Sequence, residues 1–332
     1  MQLLGVKMET TVNRNHPQTK ILNWLQSASS FFILILVVII FSASSDNFLT
    51  ASNLSNIALQ SSLVAIITIG MTMVMLTAGI DLSVGSVAAL SGTICAGMMT
   101  RNSLPILVSI LIGIGVGVIV GLINGGLIVF GNIPPFVTTL ATLGVARGLT
   151  LVYTEGRPIS GFERAFTDLG TQNIGPLPMP VLIWLVLLLI IFLVLRYTRF
   201  GLYIYAIGGN EETARLAGIR VRLIKILVYA ISGAFASVSG ILLTARLWSA
   251  QPQMAVGIEL DAIAAAVLGG VSLFGGVGSV IGASIGALII GALGNGLNLL
   301  RIPSYHQQVI KGLVFILAAA LDLYSKRRKN NR

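Results

Sequence analysis

Residues able to do chemistry are few in this 332-residue chain, and they lie apart. A single cysteine, Cys95, excludes an internal disulfide and a cysteine metal cluster. The two histidines, His16 and His306, are far apart in sequence and suggest no zinc site. No nucleophile stands beside a base. Glycine is never followed by lysine, so the phosphate-cradling G-x-x-x-x-G-K-[ST] loop is absent. The chain is expected to be no enzyme and to hold no metal and no cofactor of its own. What remains is a small set of ionisable residues in or beside apolar runs: Asp81, Arg147, Glu259, Asp261 and Lys311. Charge in hydrocarbon is costly, so each is a candidate for a solute path. Each also has a plainer role. Asp81-Leu82-Ser83 suits a helix cap, and Glu259 and Asp261 suit a helix N-terminus. No series of intramembrane carboxylates and histidines marks a proton relay.

The elements that must position these residues are membrane spans. The composition is 55% hydrophobic and only 10% charged, with mean hydropathy +0.93. A soluble domain carries about 25% charged residues. An ordinary soluble enzyme, a disordered chain and a nucleic-acid-binding domain are therefore excluded. The run from Phe31 to Phe41 has no apolar–polar alternation, so an outer-membrane barrel is excluded too. Arg14 and Lys20 before that run, with Ser42-Ala43-Ser44 after it, resemble a signal peptide; the run is instead expected to be an uncleaved first span. Spans are expected near 25–44, 58–79, 83–100, 104–130, 135–153, 179–195, 223–245, 259–275, 278–299 and 305–324. The expected fold is an all-α polytopic membrane protein with about ten transmembrane helices in a lipid bilayer.

The net charge of +10 is a topology signal, and no nucleic-acid partner is expected. Lys and Arg gather before the first span, in the 196–225 connection and in the tail. With ten spans these segments share one side, which the positive-inside rule makes the cytoplasm. Both termini are then cytoplasmic. The expected division is a cytoplasmic segment 1–24, a transmembrane domain 25–324 with a cytoplasmic segment near 196–222, and a basic tail 325–332. On the outside only 154–178 and 246–258 have any size. Neither can fold as a receptor domain, so binding of a soluble ligand would have to come from another chain.

Glycines are patterned. Gly113, Gly117, Gly121 and Gly125 recur every fourth residue, as do Gly278, Gly282 and Gly286; such ladders permit close helix approach. The segment from Gly79 to Val87 echoes 270–280, both carrying VGSV, as a repeat or by chance. On the cytoplasmic side, the stretch Gly208 to Ile219 is expected to form a short helix. Asn210 is its N-cap, Glu211 and Glu212 fill the first turn, Ala214, Arg215 and Leu216 follow, and Gly218 ends it. The pattern suits a solvated connector or a docking helix for a cytoplasmic subunit.

Several long stretches resemble the membrane permease subunits of bacterial ABC importers for monosaccharides, the ribose permeases nearest among them. They are GMTMVMLTAGIDLSVGS from Gly70 to Ser86, Tyr203 to Glu211, Arg215 to Ile219, Glu259 to Ala265 with Gly269-Gly270, and Asn295 to Leu300. The resemblance covers roughly residues 29–325, and His306 and the basic N-terminus depart from it. It implies a homodimer of permease chains and a cytoplasmic ATPase with two nucleotide-binding modules, where ATP and Mg act. It also implies a periplasmic sugar-binding protein that meets 154–178 and 246–258. Gly209 to Gly218 becomes the ATPase-coupling segment, and the expected cargo is D-ribose. Asn124, Thr138, Thr142, Asn295 and Asn298 join Asp81, Glu259 and Asp261 as candidates for the path. The alternatives are a permease for another pentose or hexose, a furanose signal or a nucleoside, and an ion-coupled secondary carrier.

Overall fold

The glycine ladder joins two helices backbone to backbone. The computed structural model describes residues 17–330, with side chains from Ser30 to Ala320 and at Asp322 and Leu323. Lys7, Arg14, His16 and Arg332 fall outside the described residues, and nothing is described of the side chains of Lys20 and 326–329. Helix α4 (Ile106–Phe130) lays its ladder along α10 (Val221–Leu247). A Cβ at Gly121 would meet the backbone of Tyr229 and Ala230, and one at Gly125 would stand 2.7 Å from the Ile226 Cα. Gly233 of α10 meets the Gly117 carbonyl in return. Van der Waals contact of this kind drives helix association where lipid tails remove the hydrophobic force.

Helix α10 also packs against α2 (Ala51–Leu76) and α3 (Val84–Thr100); α5 (Pro135–Thr154) packs on α3 and α4, and α7 (Met179–Tyr197) and α12 (Val280–Leu299) pack on α2. Helices α1 (Pro17–Ser44) and α13 (Ser304–Asn330) lie at the periphery. Among the described residues six helices are long and apolar enough to cross a membrane: α2, α4, α5, α7, α10 and α12. The chain is an all-α membrane protein. Helix α2 is buried along most of its length, and Ile66, Ile69, Met73 and Leu76 pack into the main apolar cluster with Trp184 of α7 and Tyr229 of α10. Such an all-round apolar helix is a core helix.

Three sequence expectations need refinement. The stretch 259–275 is not one continuous helix. Helix α11 (Ile258–Leu268) has 11 residues, about 16 Å at 1.5 Å per residue, roughly half of a ~30 Å hydrocarbon core. Gly269-Gly270 ends it, with Gly270 at φ +84°, and irregular chain continues to Ser279. Irregular backbone is tolerated at such depth only when protein or water covers it. Gly278 likewise lies outside the helix of Gly282 and Gly286, at φ +145°. The latter two do serve as a ladder, abutting the carbonyls of Gly269 and Ala265. The VGSV echo is also out of register. Val84 opens its helix with Ser83 as N-cap, whereas in the second copy Ser279 is the N-cap and Val280 opens the helix.

The bundle has two dissimilar ends. At one, the 154–178 and 246–258 connections are zipped together. Strand β1 (Ile159–Ser160) pairs antiparallel with β4 (Ser249–Ala250). Helix α6 (Arg164–Thr171) packs on the end of α10, where Gly170 abuts Ala245 and Arg246. A second pair, β2 (Asn173–Ile174) with β3 (Leu177–Pro178), leads into α7. At the other end sit α8 (Arg199–Gly209) and α9 (Glu211–Leu216).

Candidate functional site

The segment Gly209 to Gly218 forms the short helix its sequence dictates. Asn210 caps α9, its Oδ1 accepting from the Thr213 amide at 2.8 Å. Glu211 and Glu212 occupy the first turn, and Gly218 closes it at φ +83°. Glu212 pairs with Arg215 at 2.6 Å and Glu211 with Lys225 of α10 at 2.5 Å. A helix of six residues is not stable alone. It is held by Lys225 and by Ala214, which is buried in the main apolar cluster. Leu216 is 78% exposed, so of these two apolar residues Ala214 anchors the helix to its own chain and Leu216 faces outward.

The helix leading into it is wedged by backbone. Gly208, near the end of α8, sits against the Leu76 carbonyl at the end of α2 and against Gly276 in the 269–279 segment; a Cβ has no room there. The Gly276 amide donates to the Leu76 carbonyl at 3.0 Å. Ala78 packs against Gly275. The short helix is thus three residues of chain from a junction where α2, α8 and the approach to α12 meet.

A buried polar seam links four elements. Asp81, 1% exposed, is not the N-cap of α3. It precedes the cap, its Oδ1 accepting from the Ser83 amide at 3.0 Å and the Ser83 hydroxyl at 2.6 Å. Its Oδ2 accepts from Ser232 of α10 at 2.9 Å. The Asn124 amide donates to the Ser83 hydroxyl at 3.0 Å, and Thr142 of α5 donates to Asn124 Oδ1 at 2.6 Å. Every member is satisfied, as a buried polar network must be. Three path candidates, Asp81, Asn124 and Thr142, are therefore brought together, but as a seam inside the bundle wall rather than on a surface. Thr138 is buried on α5, one turn before Thr142. Asn295 is buried elsewhere, donating to Asn53 of α2 at 2.9 Å.

The remaining candidates surround α11. Glu259 and Asp261 lie in its first turn. Glu259 accepts from the Gly257 amide at 3.3 Å and is close enough to Arg147 of α5 for electrostatic attraction. Arg147 itself donates to the carbonyls of Pro252 and Met254 at 2.6 and 3.0 Å, bracing the 246–258 connection. Asp261 pairs with Lys311 of α13 at 2.7 Å beside a cavity of about 480 Å³. Asn298 accepts from Gln307 of α13 at 2.8 Å. Sequence reasoning missed Ser232, Gln307 and Gln308. The last two carry a legible signal, since 304, 307, 308 and 311 step by three and four along one helix face.

Comparison with known proteins fits this architecture. Residues 53–319 match the family described as branched-chain amino acid transport system / permease component. The Ribose import permease protein RbsC of Escherichia coli K12 is 45% identical over 90% of this chain and 94% of its own length. Its Bacillus subtilis 168 counterpart is 46% identical over 83% and 86%. The D-allose transport system permease protein AlsC of E. coli K12 is 39% identical over 95% and 97%. No solved structure matches the chain. The chain belongs to this family of multi-pass transport permeases.

Proposed function

We propose that this chain is the membrane-spanning subunit of an ATP-driven importer that carries a monosaccharide, D-ribose foremost, across the bacterial inner membrane by alternating access. The supporting observation is its 45% identity to a ribose import permease over nine-tenths of the chain. The other sugar permeases at lower identity, for allose and for galactose/methyl galactoside, make another monosaccharide the second reading.

Ten passes with both termini in the cytoplasm agree with the placement of the basic segments, the half-length α11 and its irregular continuation together making one pass. The domain division 1–24, 25–324 and 325–332 follows. The end carrying α9 then faces the cytoplasm and a separate ATPase with two nucleotide-binding modules, in which ATP and Mg do the chemistry. The strand-paired connections face a periplasmic binding protein, and a second copy of the chain completes the path. Force enters at α9 through the exposed Leu216 and its neighbours Glu212 and Arg215. It passes through Lys225 to α10 and through the Gly208 wedge to α2 and the approach to α12. Helices α2 and α12 pack against each other along their length, so moving one displaces the other.

The test is uptake of labelled ribose into proteoliposomes holding this chain, its ATPase and its binding protein. Uptake that requires all three and ATP supports the reading. Uptake by this chain alone, indifferent to ATP, makes it a carrier and overturns it. ATP-dependent uptake of a different sugar moves only the cargo.

A further inference from the structure

Helix α13 is two-faced in a way a lipid-facing helix is not. Ser304, Gln307, Gln308, Lys311 and Phe315 fall on one stripe and line the 480 Å³ cavity against α11. Val309, Leu313, Ile316 and Leu317 are exposed on another. Amides and an ammonium facing hydrocarbon would be expensive, so the first stripe belongs to a watery cavity or an aqueous route. The volume is within the ~300–1,000 Å³ of small-molecule sites.

The cavity's chemistry selects among small solutes. Asp261 offers acceptors, Lys311 donors and Gln308 both kinds; Gln307 keeps its amide hydrogens on Asn298 and the Ile302 carbonyl, while Val256, Leu260, Ala264, Ile290 and Phe315 supply apolar surface for the ring faces. That is a lining for a neutral, hydroxyl-rich ring. Neither sign of charge dominates, because Asp261 and Lys311 neutralise one another. Their side chains are 21% and 30% exposed, so the pair can be reached from the cavity and its hydrogen bonds can be exchanged for others.

We propose that the cavity between α11 and α13 is a transit site for the sugar, whose hydroxyls replace the Asp261–Lys311 contact as the cargo passes; this rests on the importer reading above. Gln308 and Lys311 are its contact residues. Val309, one residue from Gln308, lies off the route.

The test uses the assembled importer in proteoliposomes, with Gln308→Cys and Val309→Cys made separately and a charged, membrane-impermeant methanethiosulfonate added outside. Cys95 is fully buried and supplies no background. The variant at 308 should label, and should label more slowly in the presence of binding protein and D-ribose. Its labelling should abolish ATP-dependent ribose uptake while binding protein still stimulates ATP hydrolysis. The variant at 309 should label poorly and transport normally. Lys311→Met should cut uptake roughly tenfold, the size of a lost charged hydrogen bond. Position 308 as inert as 309, or labelled at 308 with uptake intact, overturns the transit site while the importer stands. Wild-type vesicles without ATP-dependent uptake of any monosaccharide overturn both.

Discussion

The junction around Gly208 and the cavity around Lys311 are built on opposite plans. At Gly208 three segments meet backbone to backbone with no space for one methyl group. At Lys311 the helices α11 and α13, packed together further along at Ala318, flank a cavity of about 480 Å³ bridged by an ion pair. Close-packed backbone passes displacement on because it cannot be compressed. A polar gap bridged by exchangeable hydrogen bonds does the reverse and can change occupants at little cost. The first plan suits transmission and the second passage. The α4–α10 ladder carries the first plan to its limit.

Experiments can break this contrast. The largest effect is expected at Gly121→Val, where the side chain enters the Tyr229 backbone. Overpacking costs ~1–3 kcal/mol or more, and detergent-extracted monodisperse protein should largely disappear. Gly115→Val meets open space and should leave the yield near wild type; equal losses would show that the ladder is not the packing seam. Next, Gly208→Ala should leave the chain in the membrane but cut ATP-driven uptake by about an order of magnitude, because ~1–3 kcal/mol of overpacking falls on the moving junction. Unchanged uptake would remove Gly208 from the force path.

Leu216→Glu and Ala214→Glu sharpen the same point within one helix. Leu216→Glu should keep the fold and lose co-purification with the ATPase. Ala214→Glu should lower thermal stability first, since it buries a carboxylate in the apolar cluster. Identical phenotypes would remove the distinction between anchor and contact. The smallest effect is expected for Thr142→Val, which takes one hydrogen bond of ~1 kcal/mol from the polar seam. The seam is a positioning element, so the melting temperature should fall by a few degrees with the cargo's apparent affinity unchanged.

Local signals were legible without the fold. Asn210, the two glutamates and Gly218 specify a short helix by capping and dipole alone, and it forms as expected. The Gly113–Gly125 ladder specifies a tight seam because its spacing matches the helical turn. Hydropathy marks 259–275 as apolar throughout but does not say where within it the helix stops, which Gly269-Gly270 decide. Gly278 misled because spacing by four counts only inside a helix.

The sequence by itself determined that the chain is a helical membrane protein, where its basic segments lie, and how its short helix is capped. These follow from composition and from interactions within one or two turns. Tertiary structure alone decided that Asp81 and Asn124 seal an inner seam while Asp261 meets Lys311 at a cavity. It also decided that Ala214 points inward while Leu216 does not, and that Gly208 touches Leu76 and Gly276. Those outcomes depend on partners 40 to 150 residues away in sequence, such as Ser83 for Asn124 and Ser232 for Asp81. A residue's type states which bonds it can make; only packing states which partner is within reach.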